Sequence, residues 1–291
     1  MSVLRLTAAD LVKSSSGRDA RRKRADQLMR SIMFVTAAVA VVPLIGLITY
    51  IAIHGLPYLT AQFIVNSPLD KEPGILNAIV GSLQLTVVSI LVAAPIGIAG
   101  GVYLNEFASP RVSSAGELLI DVMLGTPSII AGLFAFLVVV PALGFSGWAA
   151  IVALSVLMIP VVMRTTQEVI RLVPAGVREA SLALGIPVWK TTIFVTCRTA
   201  ASGLLTGVVL AISRGLGETA PLLLTARGTN DTELFNFGST MNAMPIVIYR
   251  YAYAADKLHI GQAWATALVL LVIALVLNVL VRFRTVNSRV A

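Results

Sequence analysis

The sequence predicts an all-α membrane protein with six transmembrane helices. Three observations predict it. The 291 residues are 57% hydrophobic and only 12% charged, about half the charge of a soluble domain. The apolar residues gather in long runs, which suits lipid rather than a large soluble core. The Lys and Arg residues flank those runs instead of forming one face, so the net charge of +8 reads as membrane orientation and not as a nucleic-acid footprint. Cys197 is the one cysteine, which excludes an internal disulfide and a Cys-based metal cluster.

A spanning helix needs about 20 apolar residues. Residues 1–30 are polar, basic and Ser-rich and are expected to form a loosely ordered cytoplasmic segment. Residues 31–53 are the first span. A basic stretch precedes it, as in a signal peptide, but the run is long enough to cross and no small-residue cleavage site closes it. Residues 73–105 carry no charge and supply the second span. Residues 122–163 are also uncharged, and at 42 residues they exceed one crossing. The stretch 141–147, rich in Gly and Pro, divides them into a hairpin of two spans. The fifth span lies near 199–224 and the sixth near 262–281. The membrane-spanning body therefore runs over 31–284, and 285–291 form a tail.

Six crossings put both termini on one side. Seventeen of the 22 Lys and Arg residues fall on that side, and four (Lys71, Arg227, Arg250 and Lys257) fall on the other. The richer side is cytoplasmic. Two connections are longer than hairpins need: a cytoplasmic loop at 165–198 and an external loop at 226–261. Long connections carry function more often than short ones.

Arg214 completes the count, and it lies inside the fifth apolar run with Glu218 four residues later. A charge at the bilayer centre costs about 2.5–3.5 kcal/mol on insertion scales. Four residues apart, the two share a helical face. The arginine is expected roughly 22 Å from the cytoplasmic end of the span, past the midplane toward the outside. Gly215 and Gly217 thin the helix there, so that an anion can approach. A guanidinium fork matches a tetrahedral oxyanion at two points. Glu218 can hold the guanidinium when no anion is bound and repel a dianion toward release. The plainer alternative is a buried salt bridge that orients helix packing.

In the cytoplasmic loop, Pro174 can open a short helix, Gly185 can end it, and Pro187 keeps it from resuming. Leu182 and Leu184 supply an apolar side, Arg178 and Glu179 a polar one, and Trp189 follows exposed. Such an amphipathic element docks in a partner's groove or rests on lipid. Asp121 reads as a helix-end residue and Arg164 as a snorkelling anchor. Gly97 with Gly101, and Gly203 with Gly207, have the spacing of helix-packing pairs. His54 and His259 are isolated, and no metal site is expected. Tyr249, Tyr251 and Tyr253 read as an interfacial aromatic belt. No G-x-x-x-x-G-K-[ST] loop occurs, so nucleotide is not expected on this chain.

Several stretches resemble a known family. Residues 179–185 read EASLALG, with Glu179, Ala180 and Gly185 matching the E-A-A-x-x-x-G loop of binding-protein-dependent ABC importer permeases; Ser181 stands for the second alanine. Residues 214–221 read RGLGETAP, which resembles the R-G-x-G-E-T-x-P segment of phosphate-importer permeases. LGTPSIIAGL at 124–133, GILNAIVGSL at 74–83 and MPIVIY at 244–249 match further segments in family order. Among these permeases the resemblance is to the PstA-type subunits. It implies a type I ABC importer permease (MetI-like) architecture in the cell inner membrane and import of inorganic phosphate. It implies that Arg214 and Glu218 line the path, with Gly215 and Gly217 beside them, and that the 179–185 loop with Trp189 couples to an ATPase. It also implies a PstC-type permease as heterodimer partner, a PstB-type ATPase dimer that carries the ATP and Mg, and a PstS-type phosphate-binding protein. No cofactor is expected on this chain. A permease for sulfate or molybdate, or a gradient-driven anion carrier, are the rival readings.

Overall fold

A computed structural model describes residues 8–231 and 235–287, all of the described secondary structure being helical apart from one isolated bridge between Arg227 and Met241. The chain divides into two compact units, residues 1–53 and residues 54–291. The first is a single helix, α1 (Ala8–Gly55), whose last two residues belong to the second unit. From Leu28 to Ile53 its large apolar side chains are exposed, as in a helix meant for lipid. Its start at Ala8 corrects the expectation of loose order for residues 8–30. Arg, Lys, Ala, Leu and Met are strong helix formers, and an existing span extends through them at little cost. Residues 1–7, and the tail beyond Asn287, lie outside the described residues.

The second unit is built on α2 (Leu76–Glu106) and α5 (Gly147–Arg171), packed along their length. Gly97 and Gly101 make the contact possible. A Cβ on Gly97 would stand 2.7 Å from Val162 Cβ, and one on Gly101 would stand 2.7 Å from the Met163 carbonyl oxygen. Two serines stitch the same seam: Ser89 Oγ donates to the Ile151 carbonyl and Ser155 Oγ to the Ser89 carbonyl, each at 3.3 Å. Ile90, Ala93, Met158 and Val162 fill the interior beside them.

Between these two helices the uncharged stretch does not form a straight third span. Its first four residues end α3 (Pro110–Gly125), which begins in the charged residues before it, and α4 (Ser128–Val138) follows at 98°. Thr126 and Pro127 cause the bend. Proline disfavours helical geometry in the residue before it, and Thr126 accordingly has ψ 131°. With eleven residues α4 is about 17 Å long, short of a bilayer core of about 30 Å. Gly144, at φ +73°, then reverses the chain, and Ser146 caps α5 by accepting from the Ala149 amide at 3.4 Å. The expected hairpin break therefore falls within 141–147.

After α5 come α6 (Ala175–Ala183), a helical stretch Val188–Thr199 that is π-helical over Thr191–Thr196, and α7 (Ala201–Leu216), turned 71° from that stretch. Gly203 and Gly207 place α7 against Val169 and Thr165 of α5. The expected fifth span at 199–224 is also broken. α7 ends at Gly217, and α8 (Ala220–Thr225) restarts with Pro221 in its first turn. Pro221 has no amide proton, and in the first turn of α8 that proton would have no intrahelical partner, so the proline suits the restart. α8 crosses α4 closely, since a Cβ on Gly132 would stand 2.6 Å from Pro221 Cα. The external loop folds back over the start of α5, where the Gly147 and Trp148 amides donate to the Ser239 and Phe237 carbonyls at 3.0 Å. α9 (Met244–Ala252) and α10 (Lys257–Asn287) complete the unit. Asp256 caps α10, accepting from the His259 amide and the His259 ring, which together hold its carboxyl below the ordinary carboxylate range. Among the described residues, four helices are long and apolar enough to cross a membrane, and each bent pair taken as one span brings the number to six.

Candidate functional site

Arg214 stands in the last turn of α7, one residue before Gly215 lets the helix press on α5. A Cβ at Gly215 would lie 1.8 Å from Met158 Cε. Glu218 follows just past the helix end, and its carboxylate stands 3.7 Å from Arg214 Nε. That separation is an ion pair but not a hydrogen bond. Nε is itself buried with no hydrogen-bond partner, while the side chain as a whole is 35% exposed. Gly217 is different from Gly215: a Cβ there would meet only the Arg214 carbonyl oxygen, at 3.9 Å. It ends the helix without packing against a neighbour.

The exposed part of Arg214 opens on a cavity of 560 Å³ between α3, α5 and α7. Leu124, Val161 and Leu210 form its apolar wall, and Thr165, Ser213, Arg164 and Glu168 bring polar groups to it. The lining includes Arg214 and leaves out Glu218. The cavity lies level with residues 161–168 of α5, on the Arg171 side of that helix's midpoint. Arg214 therefore sits near the middle of α5's length, beside Gly215 on Met158. Its span is not straight, because the helix is broken on both sides of α7.

Arg164 is the residue that the sequence reading placed wrongly. It is no isolated anchor, because it faces the same cavity as Arg214. Its guanidinium pairs with Glu168 at 3.2 Å and with Asp121 of α3 at 3.7 Å. Asp121 lies about one turn from the end of α3, as expected of a helix-end residue, and also meets a cavity arginine. A signal for this was present. Arg164 and Glu168 repeat the four-residue Arg–Glu spacing of Arg214 and Glu218. Arg preceding Glu is the poorer order for helix stability, so two such pairs in apolar helices point to a shared use. Two guanidinium groups meet three carboxylates here, and the Arg214 pair is loose. An incoming oxyanion can take up guanidinium donors already turned to the cavity, but the nearby carboxylates keep its hold weak.

The 165–198 loop folds as expected, with one inversion. Pro174 precedes α6, and Gly185 ends it at φ +74°. Glu179, Ala180, Leu182 and Leu184 are exposed, as is Trp189, with Lys190 Nζ 5.4 Å above its ring. Arg178, expected on the polar outer side, turns inward and is 26% exposed. Ser181 is buried and shares a 2.8 Å hydrogen bond with Thr191. The outward face is therefore apolar around Glu179. Of the external tyrosines, Tyr249 and Tyr253 pair with ring centres 5.1 Å apart, whereas Tyr251 packs edge-on to His259 and is half-buried. No group of His, Cys, Asp and Glu among the described residues could hold a metal ion.

Residues 93–284 match the family of binding-protein-dependent transport system inner membrane components. The chain belongs to that family. Its relatives include a phosphate transport system permease protein PstA of Pasteurella multocida, 38% identical over 265 residues that cover 90% of this chain and 94% of that one. Another is phosphate transport system permease protein PstA 1 of Mycobacterium tuberculosis (strain H37Rv), 32% identical over 280 residues, 92% of this chain and 91% of the other. Among solved structures, a permease chain of the bacterial alginate ABC transporter superposes with TM-score 0.65 at 17% identity, covering 91% of this chain and 97% of that one. One from the MetNI methionine ABC transporter gives TM-score 0.58 at 19% identity, over 74% and 94%. This inner membrane component therefore has the fold of MetI-like type I importer permeases. It is a transport subunit and not an enzyme.

Proposed function

We propose that this chain is the PstA-type permease subunit of an ATP-driven importer, and that inorganic phosphate passes through the cavity walled by Arg164 and Arg214. The observation that carries the reading is two guanidinium groups turned to one 560 Å³ cavity between membrane-spanning helices. Each would cost free energy if it stayed in hydrocarbon without a task. A permeating anion gives them one. Glu168 and Glu218 hold the guanidiniums between passages, and their charge speeds release. The relatives named phosphate permease support the choice of ion over other oxyanions of like shape.

The exposed face of α6, with Glu179, Ala180, Gly185 and Trp189, is the docking surface for a PstB-type ATPase dimer, which carries the ATP and Mg. A PstC-type permease completes the pore, and a PstS-type binding protein delivers phosphate from outside. Both termini lie in the cytoplasm, as the Lys and Arg distribution requires. The test is Arg214→Gln, measured as phosphate uptake in proteoliposomes containing the assembled complex. Uptake should fall to background while the ATPase subunit still co-purifies. Wild-type uptake by this variant overturns the assignment of the path. Competition by sulfate or molybdate equal to that by phosphate overturns the choice of substrate.

A further inference from the structure

Glu106 closes the last turn of α2, where an acid is badly placed. The carbonyl end of a helix carries partial negative charge, so an acid there is disfavoured unless a cation offsets it. The cation comes from the coupling helix. Arg178 Nη2 of α6 stands 2.8 Å from Glu106 Oε1, with the two side chains 26% and 12% exposed. The same Nη2 donates to the carbonyl of Ile170 in the last turn of α5, at 2.8 Å. One guanidinium thus closes the ends of the two central helices while it sits on the element that meets the ATPase.

The contact continues on the far side of Glu106. Asn105 Nδ2 donates to the same Oε1 at 2.9 Å, and Arg171 Nε donates to Asn105 Oδ1 at 3.2 Å. Arg171 in turn pairs with Glu117 of α3. One turn further along α3 from Glu117, Asp121 meets the cavity's Arg164. Polar contacts therefore run from the inner side of α6 to Glu117, and one turn of α3 carries the path on to Asp121 and the cavity wall. Glu106 is its junction, the point where α6, α2 and the path onward to α3 all meet.

We infer that Glu106 is a positioning residue that couples movement of the 179–185 loop to the cavity through its pair with Arg178. The inference rests on the functional reading above, because it needs an ATPase that moves α6. An apolar contact would let α6 slide along the helix ends. A part-buried, charge-assisted pair has a defined bonded geometry and resists that slip. Contiguity alone is not coupling, so the test must measure coupling itself.

The complete complex, with its ATPase, second permease and binding protein, is reconstituted in proteoliposomes, and phosphate taken up per ATP hydrolysed is measured. Glu106→Gln keeps the side-chain shape and removes the charge. It should lower uptake per ATP by about tenfold, the scale of a typical coupling between sites. Arg178→Gln should do the same, and both together should cost no more than either alone, as partners in one contact do. The charge swap Glu106→Arg with Arg178→Glu should recover part of the loss, and the amount of assembled complex should stay the same in every variant, whereas a merely structural role would lower assembly and leave uptake per ATP unchanged. Unchanged uptake per ATP in Glu106→Gln overturns the inference, as does a double variant whose losses simply add. Wild-type complex that hydrolyses ATP without moving phosphate overturns the functional reading instead, and the inference with it.

Discussion

Gly215 and Gly217 flank Arg214 and do different work. A side chain on Gly215 would strike the terminal methyl of Met158, which is fully buried and would have to repack. Overpacking of that kind costs about 1–3 kcal/mol. Gly217 has φ −92° and open space at its Cβ position, so alanine fits there within about 0.5 kcal/mol. Thermal unfolding of the purified complex separates the two: Gly215→Val should lower Tm clearly, and Gly217→Ala should leave it in place. Equal shifts would mean that Gly217 also packs in the assembled pore. Arg214 and Glu218 were legible in the sequence because charge inside an apolar run is conspicuous. Arg164 was not, because it ends a run and so looks like an ordinary boundary. Its role is set by the inward face of α5, and only the packing of α3 and α7 reveals which face that is.

At the scale of elements, α6 is held by a backbone device at one end and a charge at the other. Gly185 at φ +74° has nothing within 4 Å of its Cβ position, so alanine there would meet no clash. Its cost is purely that of left-handed backbone, about 1–2 kcal/mol. Gly185→Ala should loosen the end of α6 and reduce the ATPase subunit recovered with the permease. Glu179→Lys, on the exposed face of the same helix, should leave the fold intact and uncouple hydrolysis from uptake. Normal recovery and coupling in both would remove α6 as the docking element. The sequence located this helix to within a residue or two because proline and glycine mark its ends. It misplaced two spans for the converse reason. Hydropathy counts apolar length and is blind to direction, so Thr126–Pro127 and Gly217–Pro221 passed as interior positions of long runs. Both breaks lie beside prolines, and that was the local signal against a straight helix.

For the whole molecule, the orientation claim has a direct measurement. Tyr253 in the external loop and Leu184 at the end of α6 are 78% and 79% exposed. In a Cys197→Ala background, Tyr253→Cys should react with an impermeant maleimide added to intact cells. Leu184→Cys should react only after the membrane is opened. The reverse pattern would turn the protein over and place the supposed docking loop outside. One feature of the fold also bears on how such a pore could change state. Glycines of α2 and α7 seat on α5 from separate helices, so α5 serves both as the axle of the bundle and as a wall of its chamber. Each residue of a helix advances about 100° around the axis. A roll of α5 by half that angle would swing Arg164 away from Arg214 while its glycine seats slid past one another. Selectivity and gating would then be a single rotation, and a stiff lock between α5 and either neighbour should silence both together.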